Sequence, residues 1–182
     1  MMFAPIALLV LAVAQGQPPA FTPSANPVSD AARVRHGRDA RNLLAAAALL
    51  PADKYTYRPT PAQMTFGELI AHIVQTNVVL CSGISATAPA IAPPELKKIS
   101  GADSKESLVA AMKVSFDYCG EGFAKLQDSA LGEEAVMFGQ RSGTTRAQAL
   151  VTMLVDWADH YSSAASYLRL NGLLPPTAQP KK

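Results

Sequence analysis

Apolar residues recur at helical spacing in four stretches of this chain, and the last stretch is the clearest. Its apolar positions are Leu150, Leu154, Trp157, Tyr161, Ala164 and Leu168. Such positions share one face of an α-helix. Thr145 followed by Gln148 predicts a capping box at the start of this helix. Gly172 and then Pro175–Pro176 predict its end, because glycine accepts the left-handed conformation and proline prevents a restart.

Three earlier stretches predict helices of the same kind, each preceded by a residue that can cap a helix. They run from Ser29 to about Leu50, from Thr65 to about Ala86, and from Asp103 to about Leu126. Thr65 with Glu68 forms a second capping box, and Asp103 with Glu106 suggests a similar start. Pro51 closes the first helix.

No stretch alternates apolar and polar residues for long enough to predict a half-buried strand. Only a short extended piece is expected, at Val136–Phe138 in the loop between the third and fourth helices. The predicted fold class is therefore all-α, a four-helix bundle over residues 29–176. A disordered tail is expected over residues 177–182.

The N-terminus has the pattern of a secretory signal peptide. Phe3 to Val13 is an apolar run of eleven residues, too short to span a bilayer. Ala12-Val13-Ala14 matches a small-x-small cleavage signal. We expect a signal peptide over residues 1–14, a flexible linker over 15–28, and an exported protein, periplasmic or secreted, with no membrane span after cleavage. The alternative is an uncleaved anchor or a mistaken start.

Composition narrows the partners that this chain could have. Hydrophobic residues make up 49% of the sequence, which is enough for a substantial core, while charged residues make up 16% and the net charge is +2. A basic patch with interleaved aromatic residues is absent from the sequence, so nucleic acid is not an expected partner. Nor does it contain a P-loop, a glycine-rich nucleotide fingerprint or a nucleophile elbow.

Cys81 and Cys119 are the two cysteines of the chain. Both fall on or beside the apolar faces of the second and third predicted helices. Export would permit their oxidation, so we predict a disulfide that joins these helices. The alternative is a pair of small buried thiols.

Three residues on the predicted helices are candidate metal ligands. Asp156 and His160 are four residues apart, so their side chains lie on one side of the fourth helix. His72 lies on the second helix. Two imidazole nitrogens and one carboxylate oxygen suit zinc, and also nickel or iron, with a position left for water. An Asp–His pair at this spacing also occurs as a surface hydrogen bond, so the residues alone leave both readings open.

A family resemblance adds to this reading. It rests on Tyr57-Arg58-Pro59, on the run from Met64 to His72, on Asp159-His160-Tyr161, and on the run from Tyr167 to Gly172 with Pro175–Pro176. From Tyr57 to Pro176 the chain resembles the DinB-like family of four-helix proteins. The resemblance implies a divalent metal held by one histidine of the second helix and a His-x-x-x-His pair of the fourth. His72 and His160 match that pattern, and Asp156 stands where the first histidine of the pair is usual.

The resemblance also implies a function. Relatives use the metal to activate a thiol cofactor for transfer or isomerisation, so we expect a metal-dependent transferase or hydrolase acting on an unknown small molecule, with a homodimer as the expected assembly. Glu68 or Asp159 would assist as a base or would support a ligand. The alternatives are a capping role for Glu68 and a solvated carboxylate for Asp159. For the whole chain, the alternative is a metal-free helical module that binds a partner or serves a structural role.

Overall fold

The computed structural model describes residues 22–180, which are mostly helical with one small sheet. The helices are α1 (Pro27–Leu49), α2 (Phe66–Ser85), α3 (Pro93–Leu96), α4 (Lys105–Lys125) and α5 (Arg146–Leu170). Strands β1 (Glu134–Met137) and β2 (Gln140–Thr145) pair antiparallel. The all-α prediction is therefore wrong for the segment between α4 and α5, which forms a β-hairpin.

The four long helices enclose a single apolar core. Helix α1 packs against α4 and α5, and α2 packs against the same two helices. The largest side chains in this core belong to α2, α4 and α5, and they include Phe66, Phe116, Phe123 and Trp157, all at most 1% exposed. The apolar faces predicted from the sequence therefore point toward one another.

Helix α2 begins at the predicted capping box. Thr65 Oγ1 accepts a hydrogen bond from the Glu68 N–H, and the Glu68 carboxylate accepts one from the Thr65 N–H. By length and composition α2 could cross a membrane, but 67% of its most apolar window is buried inside the protein. Its apolar composition is thus accounted for by its place in the core.

Helix α1 begins two residues before the predicted start. Its first residue is Pro27, and Ser29 lies within the helix and does not cap it. Carboxylate oxygens of Asp128 accept hydrogen bonds from the N–H groups of Val28 (3.0 Å) and Ser29 (2.8 Å), and from the Ser29 hydroxyl (2.7 Å). The cap of this helix therefore comes from a residue a hundred positions away, which no local pattern reveals.

The starts of α4 and α5 agree with the sequence to different degrees. Ser104 caps α4, because its hydroxyl accepts a hydrogen bond from the Ser107 N–H at 3.2 Å, so the predicted start at Asp103 is one residue early. Thr145 caps α5 as predicted, and its hydroxyl accepts from the Gln148 N–H at 3.1 Å. The reciprocal hydrogen bond from the Thr145 N–H to the Gln148 side chain is absent among the described residues, so the predicted capping box is only half formed.

The hairpin turns at Phe138 and Gly139, which both have positive φ, 52° and 78°. Met137 pairs with Gln140 across this two-residue turn. The extended piece expected at Val136–Phe138 overlaps β1, but the polar strand β2 was not predicted. The hairpin packs on α2 at Gly83, where an added Cβ would lie 3.0 Å from Met137 Cγ.

A disulfide joins α2 to α4, which confirms the predicted pairing. The Cα atoms of Cys81 and Cys119 are 5.3 Å apart. One turn earlier, the Asn77 side chain donates a hydrogen bond to Ser115 Oγ at 3.0 Å. Contacts therefore advance in the same direction along both helices, so α2 and α4 run parallel.

The chain termini are described only in part. The predicted signal peptide and residues 15–21 of the predicted linker lie outside the described residues, and residues 27–28 of that linker belong to α1. At the other end, Pro176–Ala178 forms a 3-10 turn. The Thr177 N–H donates to the Tyr161 hydroxyl at 3.0 Å. The chain thus remains ordered past residue 176, where a disordered tail was expected.

Candidate metal centre

The structure brings the three predicted ligands together between α2 and α5. One ligand atom from each of His72, Asp156 and His160 lies within 4.8 Å of the others. The two imidazole rings are edge-to-face, with centroids 4.9 Å apart. Asp156 Oδ1 is 3.1 Å from His160 Nε2, as expected for residues one turn apart on a helix. All three side chains are partly buried.

A buried polar network fixes the register of α2 and α5 beside this cluster. The Trp157 indole N–H donates to Asn77 Oδ1 at 2.7 Å, and the Asn77 amide donates to Ser115 Oγ. Trp157 directly follows Asp156, and Asn77 lies little more than one turn from His72. The network therefore fixes the axial position of His72 on α2 relative to Asp156 and His160 on α5. In the sequence Asn77 showed only as a polar interruption of an apolar face.

The surroundings of His72 favour its neutral form. Burial lowers the pKa of His72, and the neighbouring His160 ring lowers it further, while Asp156 acts in the opposite sense. A neutral imidazole has a free ring nitrogen that can bind a metal. Thr76, one turn further along α2, places its hydroxyl oxygen 3.5 Å from His72 Nε2.

Two polar atoms in the cluster are buried without a hydrogen-bond partner among the described residues. They are Asp156 Oδ2 and His160 Nε2. Although His160 Nε2 lies close to Asp156 Oδ1, the two are not aligned as a hydrogen bond. Leaving a buried polar atom unpaired costs about 1–3 kcal/mol. A cation bound between the side chains would satisfy both atoms, and a donor set of two imidazoles and a carboxylate suits a divalent transition metal such as zinc.

Other candidates from the sequence have different surroundings. The Glu68 carboxylate accepts a hydrogen bond from the Thr65 N–H at 2.6 Å. That bond, together with one from the Thr65 side chain, lowers the pKa of Glu68, so this residue is held in the helix cap. Asp159 is exposed on α5. The third histidine of the chain, His36, lies away from the cluster, with Nε2 2.9 Å from the Phe116 carbonyl oxygen.

A groove of about 460 Å³ has His72 in its wall, while Asp156 and His160 do not line it. Its lining comes from α2 and from two loops, and includes Arg58, Met64, Gln75 and Gly101. Gly101 packs closely against α2, and an added Cβ there would lie 2.5 Å from the Glu68 nitrogen. The walls belong to segments far apart in the sequence, which is why the groove was not predicted.

A second groove, of about 600 Å³, lies on the other side of Gln75. Its apolar lining comes from α2, α3 and the hairpin, and includes Val79, Leu96, Met137 and Phe138. Because one wall is the hairpin, which was not predicted, this groove does not follow from the sequence either.

Solved structures share the fold of this chain. A DinB-like protein from Bacillus cereus has a TM-score of 0.64 at 16% identity, covering 81% of this chain and 95% of its own. A DinB-like protein from Bacillus subtilis has a TM-score of 0.62 at 18% identity, covering 82% of this chain and 99% of its own. A mutant of the mycothiol-dependent maleylpyruvate isomerase has a TM-score of 0.57 at 11% identity, covering 74% of this chain but 59% of its own.

Sequence comparison places the chain in a family. No curated protein sequence matches it. The family model of the DinB superfamily matches residues 35–163, which run from within α1 to within α5 and include all three residues of the cluster. This match spans well over half of the sequence and agrees with the shared fold. The chain therefore belongs to the DinB superfamily.

Proposed function

We propose that this chain is an exported metal-dependent transferase or hydrolase, built as a DinB-like four-helix bundle. His72, Asp156 and His160 hold the divalent metal. Zinc is the first choice, and nickel or iron are the alternatives. The observation that carries the proposal is the convergence of these three side chains around two buried polar atoms that no described residue satisfies.

Each residue of the cluster has a distinct task. The two imidazoles supply nitrogen donors, and burial lowers the pKa of His72, which favours its neutral form. Asp156 supplies a negative charge that offsets part of the charge of a divalent ion. A divalent metal, when bound, supplies Lewis-acid chemistry by lowering the pKa of a bound water or thiol. The groove beside His72 gives a small molecule a route to that residue.

Export is supported by the disulfide and by the signal-peptide pattern of the first residues. Disulfides persist in oxidising compartments, outside the bacterial cytosol. An exported protein would meet little reduced cytosolic thiol. We therefore do not transfer the mycothiol dependence of the isomerase to this chain.

Zinc calorimetry on purified protein and designed variants tests the metal site. The protein is prepared without chelator or affinity-tag metal. Wild type should bind one zinc per chain, and His160→Ala should lose binding because a nitrogen donor is gone. Asp156→His should bind more tightly, since histidine restores the usual ligand of the family. Asp117→Asn, at an exposed carboxylate of α4, is the control and should bind zinc as wild type does.

Two results would contradict the proposal. One is that none of these proteins binds zinc, nickel or iron. The other is that wild type and His160→Ala bind zinc equally well. Either result would favour a metal-free helical module that keeps only the core of the family.

A further inference from the structure

The hairpin turn carries an aromatic residue where backbone geometry disfavours one. Phe138 and Gly139 both have positive φ, as in a two-residue turn of type I′, for which Asn-Gly is the favoured sequence. A bulky side chain at positive φ is uncommon and costs free energy. This chain has Phe-Gly, so the ring at position 138 must compensate for an unfavourable backbone.

The Phe138 ring does so by forming part of a groove. It is partly buried against the core and lines the 600 Å³ groove with Val79, Leu96 and Met137. Gln75, Lys97 and Gln140 give the same groove some polar lining. The groove therefore combines apolar side chains of α2, α3 and the hairpin with three polar side chains.

This apolar groove adjoins the groove beside the metal cluster. Gln75 lines both. His72, Gln75 and Val79 follow one another along α2, and seven residues of helix span about 10 Å. The two volumes together, roughly 1,000 Å³, reach the upper end of the range for small-molecule sites.

The end of the combined site nearest the cluster carries one arginine and one carboxylate, since Arg58 and Glu68 both line it, and the arginine is the group that can receive an anion. Arg58 lines it and is 44% exposed. The carboxylate nearest to Arg58 is Glu68, at 3.6 Å, and that carboxylate is already held by the Thr65 N–H. Arg58 can therefore turn toward a ligand at little cost. A divalent cation at His72 would add to the positive charge.

We propose that the combined site binds an amphiphilic carboxylate. The carboxylate lies toward Arg58 and His72. The apolar tail passes over Gln75, whose side-chain amide donates to the Ile99 carbonyl oxygen at 2.9 Å, into the groove walled by Phe138. A straight tail of roughly six to ten carbons matches the 10 Å span along α2. This inference rests on the proposed function, because it supplies the substrate class for that metal site.

Titration with sodium octanoate, kept below its micelle concentration, tests the inference. Calorimetry on zinc-loaded and metal-free protein should show binding, tighter in the zinc-loaded form. Acetate should bind at least tenfold more weakly, since each buried methylene contributes about two- to fourfold. Octan-1-ol, which lacks the charge, should also bind more weakly.

Two variants and one control separate the two ends of the site. Arg58→Gln should weaken octanoate binding about tenfold and leave zinc binding unchanged. Phe138→Asn should weaken octanoate binding about fivefold. It should not lower the unfolding temperature, because asparagine tolerates positive φ. The control is Arg38→Gln, an exposed position on α1, which should bind octanoate as wild type does.

The outcomes distinguish this inference from the proposed function. Zinc binding without octanoate binding would overturn the inference alone. Octanoate binding with the expected variant effects, in a chain that binds no metal, would support the site and overturn the metal-dependent function. Octanoate binding unchanged in Phe138→Asn would mean that the ring serves only to pack the hairpin, and would overturn the inference.

Discussion

At the scale of single residues, Asn77 couples the core of this protein to its candidate metal centre. It is fully buried and connects three helices, accepting from Trp157 on α5 and donating to Ser115 on α4. Burying an amide in an apolar core costs free energy unless its oxygen and nitrogen are hydrogen-bonded, and here both atoms have a partner. The same side chain therefore contributes to stability and fixes the axial register of α5 and α2, and with it the position of Asp156 relative to His72.

Replacing Asn77 by leucine should destabilise the protein by about 1–3 kcal/mol, because it leaves the Trp157 N–H buried without an acceptor. Urea unfolding followed by circular dichroism measures this loss. The matched control is Asn42→Leu at a partly exposed position of α1, which should change the free energy of unfolding by less than about 1 kcal/mol. Equal losses in the two variants would contradict a special role for the network.

Individual residues of the cluster differed in how readily the sequence revealed them. The spacing of Asp156 and His160 alone places them on one face, because helix geometry is local. His72 was a candidate ligand by residue type, but its position opposite this pair was implied only by the family resemblance, since the packing of α2 against α5 is a tertiary contact that periodicity does not encode. Arg58 belongs to the Tyr57-Arg58-Pro59 motif of the family resemblance. Its position beside His72 depends on the path of a loop, which the sequence pattern does not reveal.

At the scale of elements, helix ends were predictable where the cap is local. Thr65 and Thr145 cap α2 and α5 as predicted. The start of α1 was not predicted correctly, because the side chain that caps it, Asp128, is distant in the sequence. The hairpin was not predicted, because β2, with the sequence Gln-Arg-Ser-Gly-Thr-Thr, is polar on both faces. Such a strand is determined by its pairing with β1 and by the turn, since it has no alternating apolar and polar pattern.

The cap of α1 should make stability depend on acid. Desolvation raises the pKa of Asp128, but hydrogen bonds from Ser29 and Val28 outweigh it, so the net pKa is below its ordinary value of 3.8. A lowered pKa in the folded state means that the ionised carboxylate stabilises the fold above about pH 4. That contribution is lost as pH falls through the folded-state pKa.

Asp128→Asn should therefore lower the unfolding temperature at pH 7, since an amide caps less well than a carboxylate. The difference from wild type should shrink as the pH is lowered from 5 to 2, because wild type loses the same charge. Thermal unfolding at several pH values measures both effects. Asp53→Asn, at an exposed carboxylate, is the control, and a difference that stays constant with pH would count against the cap.

At the scale of the whole molecule, the disulfide should be a main contributor to stability. It closes a loop with a sequence separation of 38 residues, which is worth about 3–4 kcal/mol by the chain-entropy argument. Urea unfolding with and without reductant should show a loss of this size. Thiol titration of unfolded, unreduced protein should find no free thiol, and two reactive thiols per chain would refute the bridge.

Most of the architecture followed from the sequence, because amphipathic helices carry their own pattern. Positions of the long helices were predicted to within a few residues, and residues on their apolar faces such as Trp157 and Cys119 are buried. The pattern does not show where loops pack against helices. Both grooves depend on such packing: Gly101 packs against Glu68, and Phe138 and Val79 line the same groove.

The bridge between the parallel helices α2 and α4 also determines what a break in the chain would do. The connection between them, residues 86–104, includes α3 with its apolar Leu96 and the loop that ends at Gly101, so it supplies walls to both grooves. All of it lies inside the covalent loop closed by Cys81 and Cys119. A protease that cuts this connection would therefore produce a nicked protein and not two separate fragments. In denaturant the two pieces would separate only after reduction, so the cut lining of the grooves would remain attached to the bridged helices.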